Sequence, residues 1–152
     1  MFKFGTIGAY KQVRNNPRCV AHQNLLVGQV VTLDEATKLT AFPTSETAKG
    51  EVYVVGNIID KPEIRSKQDF VVEKGEHVLG FRLADLADMT IEIDEKVVTN
   101  ATGISVKDVL VADTTGKWVK TSAATGYKVS LVVLEKTSFG GKGLYCKVVV
   151  SA

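Results

Sequence analysis

Scarcity marks this sequence before any motif does. Two cysteines, Cys19 and Cys146, lie near opposite ends of 152 residues. A disulfide framework needs several closely spaced cysteines in an oxidising compartment, so this pair reads as two reduced thiols. Histidine is equally rare, with only His22 and His77. Cys19-Val20-Ala21-His22 has the spacing of half a zinc site. Completing it would take His77 and Cys146 from distant segments, whereas structural zinc sites use two short-spaced pairs. No metal and no other cofactor is therefore expected. No apolar run approaches the roughly 20 residues that cross a bilayer. The opening Met1-Phe2-Lys3-Phe4-Gly5-Thr6-Ile7-Gly8-Ala9-Tyr10 lacks the apolar stretch and cleavage site of a secretory signal. The expectation is a soluble product made in cytoplasm, with no membrane partner.

Leucine is thin too, and here the composition turns informative. There are 11 Leu against 23 Val, 7 Ile and 14 Thr. β-branched side chains lose freedom in helices and pack well on pleated surfaces, so this is a sheet composition. With 45% hydrophobic and 24% charged residues, disorder along the whole chain is excluded. A net charge of +2 does not by itself point to nucleic acid.

Residues 1–24 stand apart. They carry Lys3, Lys11, Arg14 and Arg18, no acid, and the turn-forming Asn15-Asn16-Pro17. They read as a basic N-terminal arm, or as a first strand from Phe2 to Tyr10 followed by an irregular loop. Residues 25–152 read as one β-domain. Strands are expected at Leu25–Leu33, Leu39–Phe42, Val52–Ile59 and Leu144–Val150, and Thr90–Asp94 alternates with Ile91 and Ile93 inward and its acids outward. Phe70–Val72 and His77–Leu83 flank Glu73-Lys74-Gly75-Glu76, a hairpin signal with Gly at the left-handed position. Leu83–Met89 is the one helical candidate, a turn or two long. Val27–Leu39 parallels Val106–Trp118, with Asp34 matching Asp113 and Lys38 matching Lys117. A strand–turn–strand unit thus recurs over 27–59 and 106–134, each turn started by an Asp that bonds its own backbone. The fold class is all-β: a compact barrel or sandwich of short antiparallel strands with at most one short helix and an extended N-terminal arm.

Catalytic chemistry is hard to find. Nucleophilic catalysis needs a Ser or Cys beside an oriented His, and there is no Gly-x-Ser-x-Gly elbow. His77 reads as an exposed strand residue. Ser138-Phe139-Gly140-Gly141-Lys142-Gly143 lacks the helix a phosphate loop requires and reads as a hairpin connection, as does Thr115-Gly116-Lys117-Trp118. Asp85, Asp88, Glu92, Asp94 and Glu95 form an acidic stretch read as a solvated face. The last third is basic, with Lys117, Lys120, Lys128, Lys136, Lys142 and Lys147 against Glu135 alone. Such segregation suits contacts between subunits more than catalysis. Trp118, Tyr127, Phe139 and Tyr145 among those lysines leave single-stranded nucleic acid as an alternative ligand.

From Glu73-Lys74-Gly75-Glu76 through Gly80–Met89 into Ile91-Glu92-Ile93, and again from Val106–Leu110 to Gly116-Lys117-Trp118, the chain resembles small β-rich bacteriophage head proteins of the decoration, or cement, type. The resemblance covers roughly residues 25–150. It implies a non-enzymatic virion protein that binds the outside of an assembled capsid and stabilises it. Its partners would be the major capsid protein and neighbouring copies of itself, rather than nucleic acid. A head-fibre base or a tail component is the alternative within the same setting. Lys11, Arg14 and Arg18, in the acid-free segment, are the expected contacts to acidic capsid surface.

Overall fold

The structure, a computed structural model, describes residues 2–4, 19–57, 70–137 and 142–151. In chain order the strands are β1 (Phe2–Phe4), β2 (Leu25–Leu26), β3 (Val30–Asp34), β4 (Leu39–Ala41), β5 (Tyr53–Val55) and β6 (Val71–Val72). They continue with β7 (Gly80–Arg82), β8 (Thr90–Asp94), β9 (Val109–Ala112), β10 (Trp118–Thr121), β11 (Val129–Thr137) and β12 (Gly143–Val150). They form a six-stranded sheet in the order β1-β8-β12-β11-β9-β10, a four-stranded sheet β4-β3-β5-β7, and a ribbon β2-β6. Every neighbouring pair is antiparallel.

Side-chain alternation explains how these sheets stack. In the four-stranded sheet Val30, Val54 and Phe81 face one way and join Ile91, Ile93, Leu110, Trp118, Leu131 and Cys146 of the six-stranded sheet in the main core. Their neighbours Val31 and Val55 face the other way, onto Leu25, Phe70, Val72 and Val78. The four-stranded sheet is thus a middle layer with apolar residues on both faces, which is why its strands read as unbroken valine runs. The fold is an all-β, sandwich-like stack of short antiparallel strands.

Two expected strands are divided or re-partnered. Leu25–Leu33 breaks at Gly28, whose φ of 100° is left-handed. The break lets β2 join the ribbon while β3 enters the middle sheet. The Gln29 side chain braces the corner by accepting a hydrogen bond from the Leu26 N–H at 2.8 Å. Gly75, at φ 86°, makes the expected turn, with the Glu76 N–H donating to the Glu73 carbonyl at 3.0 Å. No hairpin forms around it, because residues 19–21 take the ladder positions. Ala21 N–H donates to Glu76 O, Gly75 N–H to Ala21 O and Val78 N–H to Cys19 O, all at 2.8–2.9 Å. β6 pairs with β2 instead, and β7 with β5.

The helical candidate shortens to a single 3-10 turn, Leu83–Leu86. Leu83 and Leu86, three apart and both fully buried, fit the eclipsed spacing of that helix. Ala87 is then extended, and left-handed Asp88 donates its N–H to Val148 O at 2.8 Å, pulling the chain onto the sheet as β8. Further 3-10 turns occur at Thr47–Lys49, Glu95–Val97 and Ala101–Gly103. Helical structure among the described residues is therefore a set of isolated turns.

The two segments with parallel sequence have parallel strand order. β3 pairs with β4 on one edge and β5 on the other, just as β9 pairs with β10 and β11. Asp34 Oδ1 accepts from the Ala36 and Thr37 N–H groups at 2.9 and 3.4 Å. Asp113 Oδ1 accepts from Thr115 and Lys117 N–H at 2.7 and 3.1 Å. The turns differ in the second N–H the Asp accepts, Thr37 against Lys117, and in the left-handed residue, which is Lys38 in the first and Gly116, one aligned position earlier, in the second.

Candidate contact surface

Lys11, Arg14 and Arg18 lie outside the described residues, as does Phe139. What the structure does place is each end of the segment that carries the three basic residues. At one end Phe2–Phe4 is edge strand β1, paired with β8 in the register Phe2↔Ile93, Lys3↔Glu92, Phe4↔Ile91. Residues 2–4 of the expected first strand are thus in the sheet, and residues 5–18 of the expected arm lie outside the described residues. At the other end Val20 bridges β4 and His77 at once: its N–H donates to Lys38 O at 2.9 Å, and its carbonyl accepts from Thr40 N–H at 3.0 Å. His22 completes this clip. Its Nδ1 lies 2.8 Å from the Thr40 hydroxyl, which also accepts from the His22 N–H at 3.2 Å. The Phe42 ring meets the imidazole edge-on at 4.8 Å. Burial holds the His22 pKa below its usual value.

The remaining titratable groups have structural work. Cys19 and Cys146 are fully buried. Burial, with Glu35 and Asp34 adding to it, raises the Cys19 thiol, and burial pushes Cys146 up to about 12. Thiols held neutral in this way make poor nucleophiles and poor metal ligands. Among the described residues no cluster of three or more His, Cys, Asp or Glu side chains is placed to hold a metal ion.

The acidic stretch is not a simple solvated face. Asp85 pairs with Arg82, and Asp88 lies 3.5 Å from Lys147. Glu92 is half-buried and accepts the Thr137 hydroxyl at 3.0 Å. Asp94 is 2% exposed, because its carboxylate caps the Glu95–Val97 turn through the Lys96 N–H at 3.0 Å. Alternation alone places Asp94 in solvent; the cap turns it inward.

Trp118 is fully buried, and its Nε1–H donates to Gly28 O at 3.3 Å. It is therefore unavailable to stack on a base. Tyr145 holds the Thr90 hydroxyl at 2.8 Å, and Tyr127 packs against the core. Of the aromatics in the basic third, none that is described forms an open stacking platform.

The surface instead offers a mixture of ion pairs and exposed apolar residues. Glu51 accepts Lys128 Nζ at 2.9 Å and lies 3.4 Å from Arg82, tying the middle sheet to the entry of β11. The Lys128 hydrogen bond, above all, keeps the Glu51 pKa low. Asp108 joins Lys120 at 2.8 Å and accepts the Ser105 N–H at 2.7 Å. Val106 and Leu134 are 52% and 42% exposed and flank one backbone bond, Lys107 N–H to Val133 O at 2.7 Å. Leu134 is turned out by the bulge between Val133 and Glu135. A hollow of about 290 Å³ lies between Lys136, Lys142 and the Glu95 and Thr102 turns.

Compared with protein-family models, curated proteins and solved structures, the chain matches none.

Proposed function

We propose that this protein is a non-enzymatic capsid decoration protein, which binds the outer surface of an assembled phage shell and reinforces it in many copies. The observation that carries the reading is the acid-free segment 1–24, with Lys11, Arg14 and Arg18 between two anchored ends. Positive charge confined to one segment supports recognition of an acidic partner surface. Three stacked layers of short strands suit a part that must resist deformation, and the clip at Val20 ties the basic segment to that stack. Many individually weak copies would act together on a repeating surface.

The test is co-sedimentation with undecorated capsids. Charge reversal at Lys11, Arg14 and Arg18 to Glu is preferable to deleting residues 2–18, which would also remove β1. Loss of binding by the folded triple variant, with wild-type binding weakened by salt, is expected. Unchanged binding would remove these residues as the anchor. Wild-type protein that ignores capsids but forms rings in solution would shift the reading to a tail component or head-fibre base.

A further inference from the structure

We propose that the hollow where β11 leaves the six-stranded sheet and β12 enters it is a carboxylate-binding site, in which Lys136 and Lys142 take the acid group of a ligand. The inference does not require the capsid reading, which turns on a different segment. Three observations carry it.

The first is that the hollow is built on fixed backbone. The two strands meet at paired positions, Lys136↔Leu144 and Thr137↔Gly143. Gly143 also pairs with Asp94 of β8, and the Glu95 N–H donates to Lys142 O at 3.1 Å. A Cβ at Gly143 would come within 2.8 Å of Ile93 O and 2.9 Å of the Thr137 hydroxyl, so glycine lets the strands close up here. Ala101 and Thr102, from a separate 3-10 turn, supply the remaining wall.

The second is cationic charge without a counterpart. Lys120, Lys128 and Lys147 meet carboxylates at 2.8, 2.9 and 3.5 Å. Among the described residues, no carboxylate lies at ion-pair distance from Lys136 or Lys142. Asp108, whose carboxyl feels the charge of Lys136, is already bonded to Lys120. Two like charges lining one hollow are both relieved by an anion between them.

The third is that the walls select the kind of anion. Lys136 and Lys142 against Glu95 leave a single positive charge in excess, which suits a singly charged carboxylate better than a doubly charged phosphate. The Thr137 hydroxyl is committed to Glu92 at 3.0 Å, so the exposed Thr102 hydroxyl is the neutral donor on offer. Leu144, 3% exposed, and Ala101 provide apolar surface for a short stem. At about 290 Å³ the space is at the small end of ligand sites, of a size for an acidic side chain or a small free acid.

The experiment titrates the full chain with three probes, followed by the amide resonances of Thr102, Gly143 and Leu144. The probes are N-acetyl-glutamic acid α-amide, whose one charge is its side-chain carboxylate, propionate, and inorganic phosphate. Saturable shifts with the two carboxylates, weakened by salt, are expected. Tighter binding of the blocked glutamate would identify a protein side chain as the source, and tighter binding of propionate a free acid. Lys136→Gln with Lys142→Gln should weaken binding about tenfold or more, the scale of charge-assisted hydrogen bonds, while the chain stays folded by circular dichroism. Lys74→Gln with Lys117→Gln, outside the hollow, should leave binding unchanged, and Glu95→Gln should tighten it. Absence of saturation, phosphate bound tighter than both carboxylates, or a double Lys136/Lys142 variant that binds like wild type would overturn the proposal.

Discussion

Gly116 shows how little freedom some single positions have. Its φ of 76° is left-handed, and a Cβ there would overlap the Phe42 ring and come within 3.1 Å of Val30 O. The Gly116 carbonyl accepts the Val30 N–H at 2.8 Å, joining the second hairpin to the middle sheet. Gly116→Ala is expected to destabilise the fold by roughly 1–3 kcal/mol in urea denaturation, the usual scale for such strain. His22 gives a second prediction, in pH. Its folded pKa is depressed by burial, so the unfolded chain takes up the proton first as the solution is acidified. Stability from neutral His22 is present above about pH 6.5 and declines as pH falls through that value toward the lower folded pKa. Asp34, Glu51 and Asp108 are also held below their usual values, chiefly by hydrogen bonds from Thr37, Lys128 and Lys120. Their contribution is lost in a second window, below about pH 4. Thermal melts across this range should show both declines, and His22→Gln should flatten the first only. The turn role of Asp34 and Asp113 was legible in sequence, because an Asx bond is local. The cap that buries Asp94 was not, since alternation says nothing about the turn that follows a strand.

At the scale of elements, periodicity located strands better than it located partners. Thr90–Asp94 was legible to its ends because Ile91 and Ile93 alternate with polar residues. The 73–76 turn was equally plain, yet its flanks separate, because the competing partner is Cys19–Ala21, more than fifty positions away in the chain. Local sequence carries turn chemistry, whereas ladder choice depends on which distant segment satisfies the backbone. This clip makes its own prediction. Val20→Pro removes the N–H that reaches Lys38 O and should cost roughly 0.5–1.5 kcal/mol, the usual net worth of a hydrogen bond. Val20→Ala keeps the bond and should cost less. Hydrogen exchange should show slow amides at Val20, Ala21 and Val78 in the wild type and faster exchange throughout that patch in the Pro variant.

For the whole molecule, the middle sheet is the common wall of two cores, so neither core can be lost alone. Leu131→Ala in the larger and Leu25→Ala in the smaller are each expected to destabilise by about 2–5 kcal/mol. Both variants should keep a single transition when followed by two probes. A biphasic curve in Leu25→Ala would show that the ribbon β2-β6 unfolds as its own unit. The layer stack was legible as a sheet protein from its β-branched excess, but the sharing of one sheet between two cores needs contacts no local pattern encodes. Trp118 adds a practical consequence. It is the only tryptophan in the chain, fully enclosed where the six-stranded sheet meets Gly28 at the head of β3. Its emission is therefore an optical gauge of the seam between sheets: blue-shifted while the layers are closed, red-shifted when they part, and blind to whatever docks on the outside. A change in that colour on partner binding would signal that the stack itself had been prised open.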